Sequence, residues 1–177
     1  NQAGLQLKPK QIFEHQTIAE LASVAGTLPE VLAEQGVVVG PVPLTPIQHW
    51  FFEHHQDNPH HYNQAVMLEV GSEFNPSLLE RAVRELLVHH DALRLRFAFE
   101  EGKWRQWSSE PEAEMPFSRY DFSELTEEAQ RVAVEETAAG LQSSLNLTAG
   151  PLLRVAYFEL GARGGRVLVV IHHLAVD

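Results

Sequence analysis

Hydrophobic and polar positions change period several times along this chain, and each change marks an element. Near the start the spacing is helical: Ile18, Leu21, Ala22 and Ala25 form one apolar stripe, and Thr17 with Glu20 fits a capping box. Residues 8–25 therefore read as the end of a small helical unit, too short to fold alone and closed by Gly26. Gly and Pro punctuate residues 27–43, which read as a linker with a short helix at 29–35 and a short extended piece at Val37-Val38-Val39. A second unit opens at Leu44. Thr45 caps, Pro46 suits a first helical turn, and Gln48 completes a second capping box, which predicts a helix over 46–56. A strand follows at 65–70. After Asn75-Pro76, Leu78, Leu79, Ala82, Val83, Leu86 and Leu87 recur at helical spacing. Leu93, Leu95, Phe97 and Phe99 then alternate with Arg94, Arg96 and Ala98, the period of a strand with one buried face. A turn at 100–103 predicts a hairpin partner at 104–107. Residues 124–145 read as a long acidic helix. The runs 152–160 and 166–171 flank the Gly-rich segment 161–165 as a second hairpin. Helix, strand, helix, two strands, helix, two strands is the order of an α+β fold, with a mixed or antiparallel sheet covered by helices.

Composition narrows the function. The 177 residues are 44% hydrophobic and 21% charged, enough for one core or one core and a fragment. A net charge of −11 without any basic run argues against nucleic acid as a partner. The absence of cysteine removes disulfides, thiolate nucleophiles and cysteine-ligated zinc, and it suits a reducing, cytoplasmic setting. Apolar stretches fall far short of the ~20 residues a membrane helix needs. Asn1-Gln2-Ala3-Gly4 has neither a Met nor signal-peptide character, so both ends of the sequence read as cut from a longer chain.

Candidate chemistry concentrates at the end. The apolar run Val167-Leu168-Val169-Val170-Ile171 leads into His172-His173-Leu174-Ala175-Val176-Asp177. Histidine is the ordinary side chain for moving a proton near neutral pH. Neighbours on a strand face opposite ways, so one imidazole packs inward and the other opens to a cavity. Asp177 can return to orient a ring or hold the turn. With four His-His pairs and four aspartates in the chain, chance alone supplies this offset about one time in ten. By themselves these residues fit either a proton-transfer site or two structural histidines beside a loop. In the segment His89-His90-Asp91-Ala92-Leu93-Arg94-Leu95-Arg96-Phe97, the simple expectation is an edge strand with Arg94 and Arg96 in water. If the sheet is covered on both sides, both arginines need carboxylates, and Asp177 is one candidate. The start of the 46–56 helix, with Trp50-Phe51-Phe52, reads as core plus interface without obvious chemistry. His54, His55, His60 and His61 are close in sequence, but Asn58-Pro59 breaks any helix between them, so no i, i+4 ligand pair arises and no metal is expected.

Together these segments resemble the first half of the condensation-domain superfamily of nonribosomal peptide synthetases. That family's signature is two histidines, three variable residues, then Asp-Gly; His172, His173 and Asp177 match it, and the sequence ends before the Gly. Pro46-Ile47-Gln48-x-Trp50-Phe51-Phe52, Tyr62-Asn63-Gln64 and His89-His90-Asp91-Ala92-Leu93-Arg94 are more similar to epimerization domains than to peptide-bond-forming ones, which more often carry Arg-His-Glu in the middle motif. The stretch Leu7-Lys8-Pro9-Lys10-Gln11-Ile12-Phe13-Glu14-His15-x-Thr17-Ile18-Ala19-Glu20-Leu21 resembles the tail of a peptidyl carrier domain, whose phosphopantetheine-bearing serine would lie upstream of residue 1.

The resemblance implies a carrier tail at 1–26, a linker at 27–43, and a truncated N-terminal lobe at 44–177. The implied fold is chloramphenicol-acetyltransferase-like, with the site between two lobes. The substrate would be an aminoacyl or peptidyl thioester on the 4'-phosphopantetheine arm of a carrier domain, epimerized from L to D. His173 would transfer a proton, His172 would pack inward, and Asp177 would pair with Arg94. The second proton-transfer group would be a glutamate of the second lobe. Condensation between two carrier-bound substrates, with the same His assisting amine attack, and a non-catalytic carrier-docking role are the alternatives.

Overall fold

The computed structural model describes residues 7, 9–26, 36–55, 57–111 and 115–176. It divides into two compact units, Asn1–Gln35 and Gly36–Asp177. In the first, α1 (Pro9–Glu14) is followed by α2 (Ile18–Val24). The capping box forms as the sequence predicts: the Thr17 hydroxyl accepts from the Glu20 amide, and the Glu20 carboxylate accepts from the Thr17 amide. The helix expected at 29–35 lies outside the described residues.

The second unit begins with β1 (Gly40–Val42), so part of the expected linker is built into a sheet. Then come α3 (Pro46–His54), β2 (Asn63–Val70) and α4 (Pro76–His89). Thr45 and Gln48 close the second capping box, and the Asn75 carboxamide accepts from the Ser77 and Leu78 amides in the first turn of α4. A 3-10 turn, Asp91–Arg94, leads into β3 (Leu95–Glu100) and its hairpin partner β4 (Lys103–Ser108). The chain continues through β5 (Phe117–Asp121), α5 (Glu127–Ser143), β6 (Leu153–Glu159) and β7 (Gly165–His172).

Two sheets result. One has the order β1-β4-β3; the other, β2-β7-β6-β5, is antiparallel except for the parallel pair β5 and β6, which α5 connects. Side-chain parity splits the larger sheet cleanly. Ala156, Phe158, Leu168 and Val170 pack with Val134 and Leu141 of α5. Leu153, Val155, Tyr157 and Val167 pack with Val83 of α4 and its neighbours Leu79 and Leu87. Helices on both faces explain why β6 and β7 read as continuous apolar runs rather than alternating ones. Phe51, Phe52, Phe97, Leu147 and Leu152 form a third cluster, with Trp104 stacked on Phe52 at 3.9 Å. Each fully buried Phe or Leu adds about 1.5–3 kcal/mol.

Three differences from the sequence expectation have physical reasons. β5 goes unread because Ser118, Arg119 and Asp121 dilute its apolar signal; its parallel pairing to β6, a nonlocal contact, makes it a strand. Arg94 is not on a strand but at the end of the 3-10 turn. Both arginines are buried, at 2% and 5% exposure, rather than in water. Arg94 donates through Nε to the Ser109 carbonyl (3.1 Å), through Nη1 to the Val88 (3.0 Å) and Leu87 carbonyls, and through Nη2 to the Asp91 carboxylate. It thus ties off the last carbonyls of α4, where a cation also suits the helix dipole. Arg96 donates to the Leu95 carbonyl (2.8 Å) and lies across Gly150; burial lowers its proton affinity.

Gly164 closes the β6–β7 connection with φ of 78°, and a Cβ there would sit 2.8 Å from the Val70 carbonyl oxygen. Gly164→Ala should therefore lower the unfolding free energy by about 1–3 kcal/mol, through both strain and the backbone clash. Urea unfolding followed by tryptophan fluorescence checks this; an unchanged midpoint would contradict it.

Candidate active site

The site forms where β7 ends. His172 is the last residue of the strand, paired with Asn63 of β2, and it faces the α5 side with Leu168 and Val170. It is fully buried. Its Nδ1 accepts from the Leu174 amide at 3.1 Å, so its Nε2 carries the proton and donates to the Pro59 carbonyl at 2.8 Å. Burial is the main cause that pushes its pKa down from 6.5 to about 4, with a contribution from the nearby His60 and His173; the bond to Pro59 opposes the shift. A neutral ring with both nitrogens occupied has no lone pair to offer a substrate.

His173 differs in burial and in tautomer, and the partner of its lone pair is a side chain rather than a backbone amide. Its amide donates to the Tyr62 carbonyl at 2.7 Å, carrying the β2–β7 ladder one step further. Its ring is partly exposed and stacks on Tyr62 with centroids 5.1 Å apart and planes at 21°. Gln64 places its amide nitrogen 3.3 Å from Nε2, and Nδ1 lies 2.7 Å from the Val176 carbonyl. A carbonyl demands a donor, so Nδ1 holds the proton and Nε2 the lone pair. The adjacent histidines are therefore opposite tautomers, each set by its own backbone partners.

His173 lines a cavity of about 490 Å³. The turn 174–176 forms one wall; Thr45, Ile47, Gln48, Trp50 and Phe51 at the start of α3, with Tyr62, form the rest. The helix start read from sequence as core plus interface thus has both parts. Phe51 and Phe52 are buried, while Trp50, 47% exposed, belongs to the cavity wall. Tyr62 is a residue that sequence reasoning cited only for resemblance. Its ring lies 5.1 Å from both His173 and His55, and no local pattern marks that arrangement.

Asp177 lies outside the described residues, and with it the expected Asp177–Arg94 pair; the carboxylate that bonds Arg94 in the structure is Asp91. Three of the four clustered histidines are otherwise engaged. His54 bonds the Trp50 carbonyl, His55 stacks on Phe51, and His60 accepts from the Leu147 amide. Among the described residues no group of three or more His, Asp or Glu is placed to hold a metal ion. Nor is any described helix long and apolar enough to cross a membrane. A larger cavity, about 680 Å³, lies beside the start of α5, but Arg131, Arg163 and Arg166 in its wall are each bonded to neighbours of this chain.

The site thus pairs a buried neutral histidine with a half-open one at the end of a strand in a mixed sheet. The condensation-domain family model matches residues 38–177, and the chain belongs to that family. It is 52% identical along its whole length to one of the subunits of linear gramicidin synthase of Brevibacillus parabrevis, and 46% identical over 99% of its length to chondramide synthase cmdD of Chondromyces crocatus. It spans only 3% and 4% of those relatives. Among solved structures it is similar to the epimerization domain from the third module of tyrocidine synthetase B, with a TM-score of 0.72 and 39% identity over 80% of this chain and 32% of that one. The starter condensation domain of rhizomide synthetase RzmA shares the fold, with a TM-score of 0.65 and 23% identity over 78% of this chain and 35% of that one. The chain is thus part of a condensation-superfamily domain of a nonribosomal peptide synthetase, with the fold of the N-terminal lobe.

The depressed pKa of His172 has a consequence for stability. An unfolded histidine takes a proton below about 6.5, whereas the buried ring resists until about 4. The contribution is complete above pH 6.5 and is lost as pH falls from there toward 4. The full shift corresponds to about 3 kcal/mol. Urea unfolding of the wild type should show that loss over this interval, with a flatter pH dependence in His172→Asn.

Proposed function

We propose that this segment contributes the proton-transfer histidine of an epimerization domain, which inverts the α-carbon of a carrier-bound aminoacyl or peptidyl thioester. The observation that carries the reading is the His173 tautomer: Nδ1–H is held by the Val176 carbonyl, which leaves the lone pair on Nε2 of a ring that lines a cavity. The 39% identity to an epimerization domain supports the choice of subtype. A thioester acidifies its α-proton because the carbanion delocalises into the carbonyl. Nε2 takes that proton, the C–H electron pair moves into the enolate, and the second group returns a proton to the opposite face. By resemblance that group is a glutamate of the second lobe. His172 stays neutral and holds the loop, and Asp177 with Arg94 supports the motif.

The arm that delivers the thioester is the 4'-phosphopantetheine of a peptidyl carrier domain. Residues 1–26 are read as the tail of one such domain; the two short helices and the Thr17–Glu20 capping box are compatible with that reading. Its attachment serine is assigned to no residue of this sequence. The parent synthetase would work in the cytoplasm.

The test uses the full-length synthetase with its carrier loaded as the L-aminoacyl thioester in D₂O. Mass spectrometry should find deuterium at the α-carbon, and His173→Ala should slow its uptake by about 10²–10⁴-fold. Uptake unaffected by that substitution would refute the assignment of His173. Peptide formation without α-exchange would identify condensation instead, and neither reaction would leave carrier docking.

A further inference from the structure

Tyr62, Asn63 and Gln64 stand where β2 begins, and the first and last of them touch His173. Tyr62 fixes the plane of the ring by stacking and the backbone by accepting the His173 amide at 2.7 Å. Gln64 reaches the one ring nitrogen that the proton transfer uses, 3.3 Å from its amide nitrogen. The register explains how: Gln64 pairs with Ile171, so it shares the sheet face from which His173 continues. Gln64 does not line the cavity, so it acts on substrate through the histidine.

We propose that Gln64 is a positioning residue for His173, whose carboxamide serves the ring in both of its charge states. A carboxamide carries a donor and an acceptor at nearly the same position. Its N–H end bonds the Nε2 lone pair before the substrate binds and gives that lone pair up to the α-hydrogen when the substrate arrives. Turned over, its oxygen accepts from Nε2–H once the α-proton has arrived. Leucine at this position can do neither, and glutamate suits only the charged ring. The titratable groups about the ring are Tyr62 stacked on it, His172 next in the chain, and His55 behind Tyr62. Among the described residues no carboxylate or guanidinium is paired with His173, so the amide is the partner best placed to follow its charge.

This inference rests on His173 being the proton-transfer group, and the experiment separates the two. Deuterium uptake is measured against pH in the full-length loaded synthetase for the wild type, Gln64→Leu, Gln64→Glu and His173→Ala, with circular dichroism confirming that each is folded. Gln64→Leu should reduce uptake roughly tenfold without changing KM for the loaded carrier. Gln64→Glu should move the acid limb of the pH–rate profile to higher pH by about one unit, because a carboxylate favours the charged ring. Wild-type rates in both Gln64 variants, or equal losses with the acid limb unmoved in Gln64→Glu, would overturn the role of Gln64 while leaving His173 in place. Full uptake in His173→Ala would overturn the underlying reading and this one with it.

Discussion

The buried imidazole of His172 bonds two pieces of chain that no helix or sheet ladder joins: the Pro59 carbonyl, ahead of β2, and the Leu174 amide, just past β7. Without that ring, the turn carrying His173 would keep its own bonds, from the Ala175 amide to the His172 carbonyl and from the His173 ring to the Val176 carbonyl, but lose its tie to the segment ahead of β2. With it, a backbone carbonyl and a backbone amide that would otherwise be unpaired are both satisfied inside the core. An unpaired buried polar group costs about 1–3 kcal/mol, so the ring must be present, neutral and in one tautomer for the loop to close as it does. Of the two histidines, only the second keeps a partly exposed ring on the cavity.

The division of labour extends outward in layers. β6 and β7 are clamped between α4 and α5, so the strand end that presents the motif is anchored in apolar packing on both faces. Arg94 performs a related task in the segment after α4, gathering the end of that helix, the Ser109 carbonyl and Asp91 around one guanidinium. Polar side chains at these positions serve as joints between elements, each placed where backbone groups at an element's end lack partners of their own.

Much of this was legible in the sequence, and the remainder fails for identifiable reasons. The two capping boxes, the helices starting at Pro46 and Pro76, and the strands around Phe97 and Val169 follow from local spacing and end signals, which are properties of a few adjacent residues. Strand parity requires that His172 and His173 diverge, and the structure buries one and leaves the other partly open. β5 and the burial of Arg94 and Arg96 were not legible. The first depends on a parallel partner more than thirty residues on; the second depends on carbonyls at the end of α4 for Arg94 and on the distant Gly150 for Arg96. Tyr62 and Gln64 belong to the same class. Their contact with His173 spans more than a hundred residues and comes into being only through the β2–β7 register.

That register places the ring's supports on an outer strand. Among the described strands β2 hydrogen-bonds only to β7, and Val66 and Leu68 are about half exposed, at 49% and 50%. Strands with little buried surface open at the lowest free-energy cost in a fold, well before the global transition. The ring of His172 is therefore enclosed by the core, while the orientation of His173 depends in part on an outer strand. Stiffness at this site is graded: the first ring is enclosed by packed side chains, whereas the second leans on one sheet edge.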